Sequence, residues 1–173
     1  MNASVVLTLI GPNTTGIVFR VAQIVGAHGG NWLGARMANL AGQFAGIVQL
    51  ELPQDNVERF SAALGELDAI GMRFLVAKGD VPAAASGPDL LRLEVVGHDH
   101  PGIVRDIADV LARHGVSIEQ LSTDRVSGAF SGESLFKAIA QVRLPEHVAT
   151  RDLRAALESV AHEVMVDIAL ESR

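Results

Sequence analysis

Residues 97–115 read GHDHPGIVRDIADVLARHG, and residues 11–29 read GPNTTGIVFRVAQIVGAHG. At an offset of 86 residues, seven of the nineteen positions are identical: Gly11/Gly97, Gly16/Gly102, Ile17/Ile103, Val18/Val104, Ala22/Ala108, His28/His114 and Gly29/Gly115. Downstream, QLELP (49–53) answers QVRLP (141–145) at an offset of 92, so the second copy carries six more residues between the matched segments. A repeat this long with a single gap predicts two small domains of one fold. It also moves the question of function to the places where the copies agree or differ.

Each copy reads in the same order. SVVLTLI (4–10) is an apolar run ended by Gly11-Pro12, the mark of a buried strand and a turn. Ile17, Val21, Ile24 and Val25 then recur at helical spacing over 16–28, and Gly29-Gly30 ends that helix. Segments 31–40 and 43–52 form a strand pair about Ala41-Gly42. In the second of them Phe44, Gly46, Val48, Leu50 and Leu52 share a face. Val57, Phe60, Leu64 and Leu67 predict an amphipathic helix over 55–70, and 72–78 is a last strand. The second copy gives strand 90–96, helix 102–114, strand 116–126, a longer loop over 126–134, strand 135–144, helix 146–161 and strand 163–171. The aperiodic GDVPAAASGPD (79–89) is the linker between domains at 1–78 and 90–173. The expected class is α+β: two tandem ferredoxin-like βαββαβ units, each a four-stranded antiparallel sheet with two helices on one face.

Composition narrows the function. The 173-residue chain has a net charge of −6, and its only lysines are Lys78 and Lys137. No basic footprint for a nucleic-acid backbone is visible, and Arg105, Arg113, Arg151 and Arg154 read as solvated helix faces. With no cysteine there are no disulfides, no thiol catalysis and no Cys-metal site. The opening MNASVVLTLIGP has no basic n-region, and its apolar run is too short for a signal peptide or a membrane span. The expectation is a soluble cytoplasmic protein with no membrane partner.

The loop from the first strand to the first helix carries the chemistry. In GHDHPGIV, Pro101 suits the first helical turn, Asp99 or His100 offers a cap, and Gly97 and Gly102 allow sharp geometry and the close approach of another molecule. A helix start also seats a carboxylate, through free N–H groups and a partial positive charge. A strand-to-helix turn needs such residues simply to turn, so the loop alone carries both readings.

The GxDxPGIV loop, the helix ending in His-Gly and the Asn or Ser opening the next strand resemble the ACT domain, a small ferredoxin-like module that binds amino acids and regulates enzymes or transcription. Together with HGGNWLGARMANLAGQFAGIV (28–48), the tandem layout resembles the glycine cleavage system transcriptional repressor family. The resemblance implies ligand contacts from Gly97, His98, Asp99, Pro101, Gly102 and Ile103 with Ser117 and Ile118. In the first copy it implies Gly11, Asn13, Thr15, Gly16 and Ile17 with Asn31 and Trp32. Copy one departs from the pattern at Asn13 and Thr15, and copy two at Ser117. Asp99 would meet an amino group that uncharged Asn13 cannot pair with as an ion. The implied ligand is a small amino acid such as glycine or serine. The implied partner is a transcription activator protein, or a metabolic enzyme if the chain is a stand-alone regulatory subunit. Direct contact with nucleic acid is not expected.

Other residues point elsewhere. His98, Asp99, His100 and His114 could form a metal set, but His28 and His114 read more simply as last-turn residues that complement the helix dipole. Trp32, the sole tryptophan, is expected in packing or at a domain interface, and Phe44 and Phe136 in packing. No G-x-S-x-G elbow, Walker A or G-x-G-x-x-G pattern occurs, so no catalytic residue, metal or cofactor is expected. Sheet edges invite pairing, which makes a homodimer one expected assembly, although two domains in one chain could satisfy each other. A structural dimerisation module with vestigial sites is the remaining reading.

Overall fold

Alternation of apolar residues builds each sheet, and three-to-four spacing builds the helices that cover it. The computed structural model describes residues 1–79, 90–127 and 134–172, and the chain divides into two compact units, Met1–Ala84 and Ala85–Arg173. In the first unit β1 (Asn2–Pro12), α1 (Ile17–Ala27), β2 (Asn31–Leu40), β3 (Gln43–Pro53), α2 (Val57–Ala63) and β4 (Arg73–Lys78) follow in order. In the second unit they are β5 (Leu90–His98), α3 (Ile103–Arg113), β6 (Ser117–Ser127), β7 (Ser134–Arg143), α4 (Thr150–Glu163) and β8 (Val166–Ser172). The sheets run β2-β3-β1-β4 and β6-β7-β5-β8, with every neighbour antiparallel. This is the expected βαββαβ fold, twice.

Val5, Leu7 and Leu9 of β1 face Leu50, Val48 and Gly46 of β3, and all six are buried beneath the helices. Leu91, Leu93 and Val95 of β5 face Val142, Ala140 and Ala138 of β7 in the same way. Ile17, Val21 and Val25 close the first core, and Ile103, Ile107, Val110 and Leu111 close the second. Gly11 and Gly97 sit where the fourth strand of each sheet begins. A Cβ on Gly97 would lie 2.7 Å from the Met165 carbonyl oxygen, and one on Gly11 2.8 Å from that of Gly71. The protein's own backbone occupies that space, which by itself requires glycine at both positions.

Several boundaries differ from the sequence reading. The helix expected over 55–70 is α-helical only at Val57–Ala63, between 3-10 turns at Gln54–Asn56 and Leu64–Ile70. The three-residue step from Leu64 to Leu67 fits a 3-10 turn, and Gly65 weakens the α form. Helix α4 starts at Thr150 because 145–148 close a turn of their own, with the Val148 N–H donating to the Pro145 carbonyl at 3.0 Å. Val164, read as a strand residue, caps the end of α4, and Met165 takes a left-handed φ of 53° before β8. In the longer loop expected at 126–134, Val126 and Ser127 belong to β6 and Ser134 to β7, while 128–133 lie outside the described residues. The same holds for 80–89 of the expected linker.

Candidate functional site

Gly16 and Gly102 are the N-caps of α1 and α3, with φ of 85° and 104°. A side chain is strained in that region, so glycine is required for the sharp entry into each helix. Thr15 and Pro101 therefore lie before the helices, not within their first turns. Ile17 and Ile103 point into the cores. Among the described residues no side chain caps either helix, so the capping role read for Asp99 or His100 is not what those residues do.

Asp99 instead pairs with Arg125 of β6, its Oδ2 lying 2.6 Å from the guanidinium Nε. The same guanidinium donates to the Ser134 hydroxyl at 3.1 Å, and the Asp99 N–H donates to the Ser134 carbonyl at 3.1 Å. His100 ties the loop to the end of α4, next to where β8 begins. Its Nε2 lies 2.7 Å from the Val164 carbonyl oxygen and its Nδ1 3.0 Å from that of Pro101. Both contacts require a donor, so the protonated ring satisfies them together. The Val164 bond first, and the Pro101 bond after it, hold the imidazole above its ordinary value. In the first domain the Asn13 N–H makes the equivalent bond, to the Gly42 carbonyl at 3.0 Å, and Thr14 stands where the second domain has His100.

The second group of sequence-predicted residues lies elsewhere. Asn31 and Ser117 begin β2 and β6 and are exposed. Trp32 is half-buried against the first core, opposite Leu50, which fits the packing role. Ile118, 40 % exposed, sits opposite Val142. Within one domain these residues stand at the opposite end of the helix from the loop. Eleven residues of α1 or α3 separate them, about 16 Å of helix. The structure thus gathers Gly97, His98, Asp99, Pro101 and Gly102 at one end of the second domain and Ser117–Ile118 at the other. It separates Gly11, Asn13, Thr15 and Gly16 from Asn31–Trp32 in the same way, while Ile17 is buried in the core. Only Ile103 and Ile118 come together, lining one cleft in the second domain, and neither domain assembles the full set among the described residues.

Between α3 and β6 runs an apolar cleft of about 50 Å³, lined by Val104, Ala108, Ile118, Leu121, Phe136 and Ala140 among others. It exists because β6 is exposed along its whole length, whereas Trp32 and Met37 of β2 fold against the first core. A bulge at Glu119 brings Ile118, Leu121, Thr123 and Arg125 to the helix-bearing face. The cleft alone is far smaller than the roughly 300 Å³ at which small-molecule pockets begin.

The histidines at the helix ends act alike. Nδ1 of His28 lies 2.7 Å from the Ile24 carbonyl oxygen, and that of His114 2.8 Å from the Val110 carbonyl oxygen. Both rings thus serve the last helical turn. Among the described residues no group of three His, Asp or Glu is placed to hold a metal ion, and no helix is long and apolar enough to cross a membrane.

Two family profiles described as ACT domain match the chain, one over residues 3–74 and one over 91–158. The chain belongs to the ACT domain family, as two tandem copies, and so to a class of amino-acid-binding regulatory modules. It is 35 % identical over 78 residues to the UPF0237 protein MK1213 of Methanopyrus kandleri, covering 44 % of this chain and 80 % of that one. A crystal structure of an unknown protein from Galdieria sulphuraria superposes with a TM-score of 0.88 at 29 % identity, covering 100 % of this chain and 99 % of the other. Another crystal structure, provisionally described as a glycine cleavage system transcriptional repressor, superposes with a TM-score of 0.71 at 16 % identity, covering 100 % and 98 %.

Proposed function

We propose that the protein is a non-enzymatic regulator that binds a small amino acid, glycine or serine first among candidates, and passes its occupancy to a protein partner. The observation that carries this reading is the β5–α3 loop. There a carboxylate, Asp99, is held beside an uncapped helix start by backbone and side-chain bonds that do not consume the helix N–H groups. The loop and the strand start are a helix-length apart, so one small amino acid in the loop does not also reach the strand start of the same domain. Occupancy would shift the protein between two states, within the limit set by the ligand's differential affinity for them.

The partner we propose is a DNA-binding activator controlling glycine cleavage genes. Support comes from the two-domain fold shared with the provisionally described repressor, and from a net charge of −6, which disfavours direct contact with DNA. Calorimetry of the whole chain against the twenty amino acids tests ligand binding. Co-purification tests the partner: a transcription factor supports the proposal, and a metabolic enzyme replaces it with a regulatory-subunit role. A tight gel shift of the isolated protein on DNA at physiological salt would remove the indirect route.

A further inference from the structure

We propose that Asp99 and Arg125 form a seat for the zwitterionic head of a free α-amino acid in the second domain. The ligand's ammonium takes the place of Arg125 at the Asp99 carboxylate, and its carboxylate takes the guanidinium so released. This rests on the reading that the protein binds an amino acid, and adds Arg125 as a binding residue and the second domain as the place.

The geometry has three parts. The two charges already lie in contact, 2.6 Å apart, and an α-amino acid carries its two charges on one carbon, so a small opening admits it. The partners differ in freedom: the Asp99 side chain is 26 % exposed and that of Arg125 71 %, so the carboxylate stays while the long cation swings. An exposed pair of this kind is worth little in water, and its opening costs correspondingly little. Finally, Arg125 stands opposite Phe136, which lines the apolar cleft, so apolar surface flanks the seat. Guanidinium is suited to the task because its planar fork matches a carboxylate in two bonds.

The first domain argues that the pair is not there for the fold. At matched positions it has Asn13 for Asp99 and Asn39 for Arg125, and Asn39 faces Phe44 as Arg125 faces Phe136. The backbone bond that holds the loop is kept, from Asn13 to Gly42 at 3.0 Å and from Asp99 to Ser134 at 3.1 Å. Both charges are replaced together by amides while the loop stays closed by the same backbone contact.

The test is calorimetry of the full chain with glycine and L-serine, with their amides (carboxylate masked), and with acetate (no amine). Arg125→Gln should weaken glycine or serine about tenfold or more while leaving the corresponding amide unchanged. Asp99→Asn should weaken acid and amide alike, and Arg125→Lys should fall between wild type and Arg125→Gln. A thermal melt of each variant separates folding from binding. If glycine or serine binds Arg125→Gln as tightly as wild type, the seat is wrong while the regulatory reading stands. If neither they nor any other of the twenty amino acids binds wild type at millimolar concentration, both fall.

Discussion

At matched positions the sheet face away from the helices carries Val6, Thr8, Ala45 and Leu75 in the first domain, and Arg92, Glu94, Lys137 and Ala169 in the second. In the second, Arg92 and Lys137 reach the Glu94 carboxylate at 2.9 and 3.0 Å, and their hydrogen bonds hold its pKa below the ordinary carboxylate value. In the first, Ile47 and Leu75 are more than half exposed on the same face. The inward faces agree because both must pack against two helices. The outward faces answer only to what lies beyond them, and there the copies have parted. The loops show the same division: backbone bonds and glycines are shared, while the side chains Asp99, His100 and Arg125 belong to one copy.

The largest expected effect comes from breaking what the domains share. Gly97→Val places side-chain atoms against the Met165 carbonyl and the Val166 Cα, which are backbone and cannot swing aside. A loss of about 3 kcal/mol or more in the second domain is expected. Gly11→Val should do the same to the first. Trp32, the sole tryptophan, lies in the first domain, so its fluorescence separates the two. Under denaturant Gly11→Val should move the fluorescence transition. Gly97→Val should leave it in place and move only the remaining circular dichroism change. If both variants move both signals equally, the domains do not unfold as separate units.

A smaller loss follows at the helix entries. Gly102→Ala imposes a left-handed φ on a side-chain-bearing residue, a cost of about 1–2 kcal/mol. Gly16→Ala meets open space at φ 85° and should cost about the same, since conformation and not crowding sets it. A Gly102→Ala loss well above that of Gly16→Ala would mean that the Arg105 and Asp106 side chains, which would lie 3.3 and 3.4 Å from the new Cβ, cannot give way.

How much could be read in advance follows the same division. The inward alternation of Phe44, Gly46, Val48, Leu50 and Leu52 was legible because burial demands it, and the glycine turns because φ demands them. Arg125 was not, because its face depends on the bulge at Glu119. Plain alternation from Ile118 would turn Gln120, Ser122 and Asp124 to the helix side and Arg125 away. One signal was present: the offset that aligns the repeats sets Asn13 against Asp99 and Asn39 against Arg125, a paired change from amides to opposite charges. The separation of Asn31 and Ser117 from the loops was also implicit, since a helix must intervene, but contact lists carried over by resemblance ignore distance within one domain.

Transplanting the charged face sharpens the comparison at lower energy. Val6→Arg, Thr8→Glu and Ala45→Lys together rebuild the Arg92–Glu94–Lys137 cluster on the first sheet. These positions are half-buried on the outward face, so each change should cost no more than about 1 kcal/mol by chemical denaturation, and sedimentation should show no loss of assembly. A total cost of several kcal/mol, or dissociation of an oligomer, would mean that a partner covers this face in solution.

The smallest effect separates the loops by a proton. The folded state raises the pKa of His100 above 6.5, through the Val164 and Pro101 carbonyls and then through the Asp106 and Asp99 carboxylates nearby. Its stabilisation is therefore complete below the unfolded value and is lost as pH rises through the folded one. Glu94 has the opposite sign, adding stability above its unfolded value and losing it in acid, so it does not change between about pH 6 and pH 8. The denaturation midpoint of the second domain should thus fall between those pH values in wild type, and fall less in His100→Asn. The first domain has Thr14 at that position and no proton to lose there. An equal slope in wild type and His100→Asn would show that the two carbonyl bonds persist with a neutral ring and that the loop is held by backbone alone.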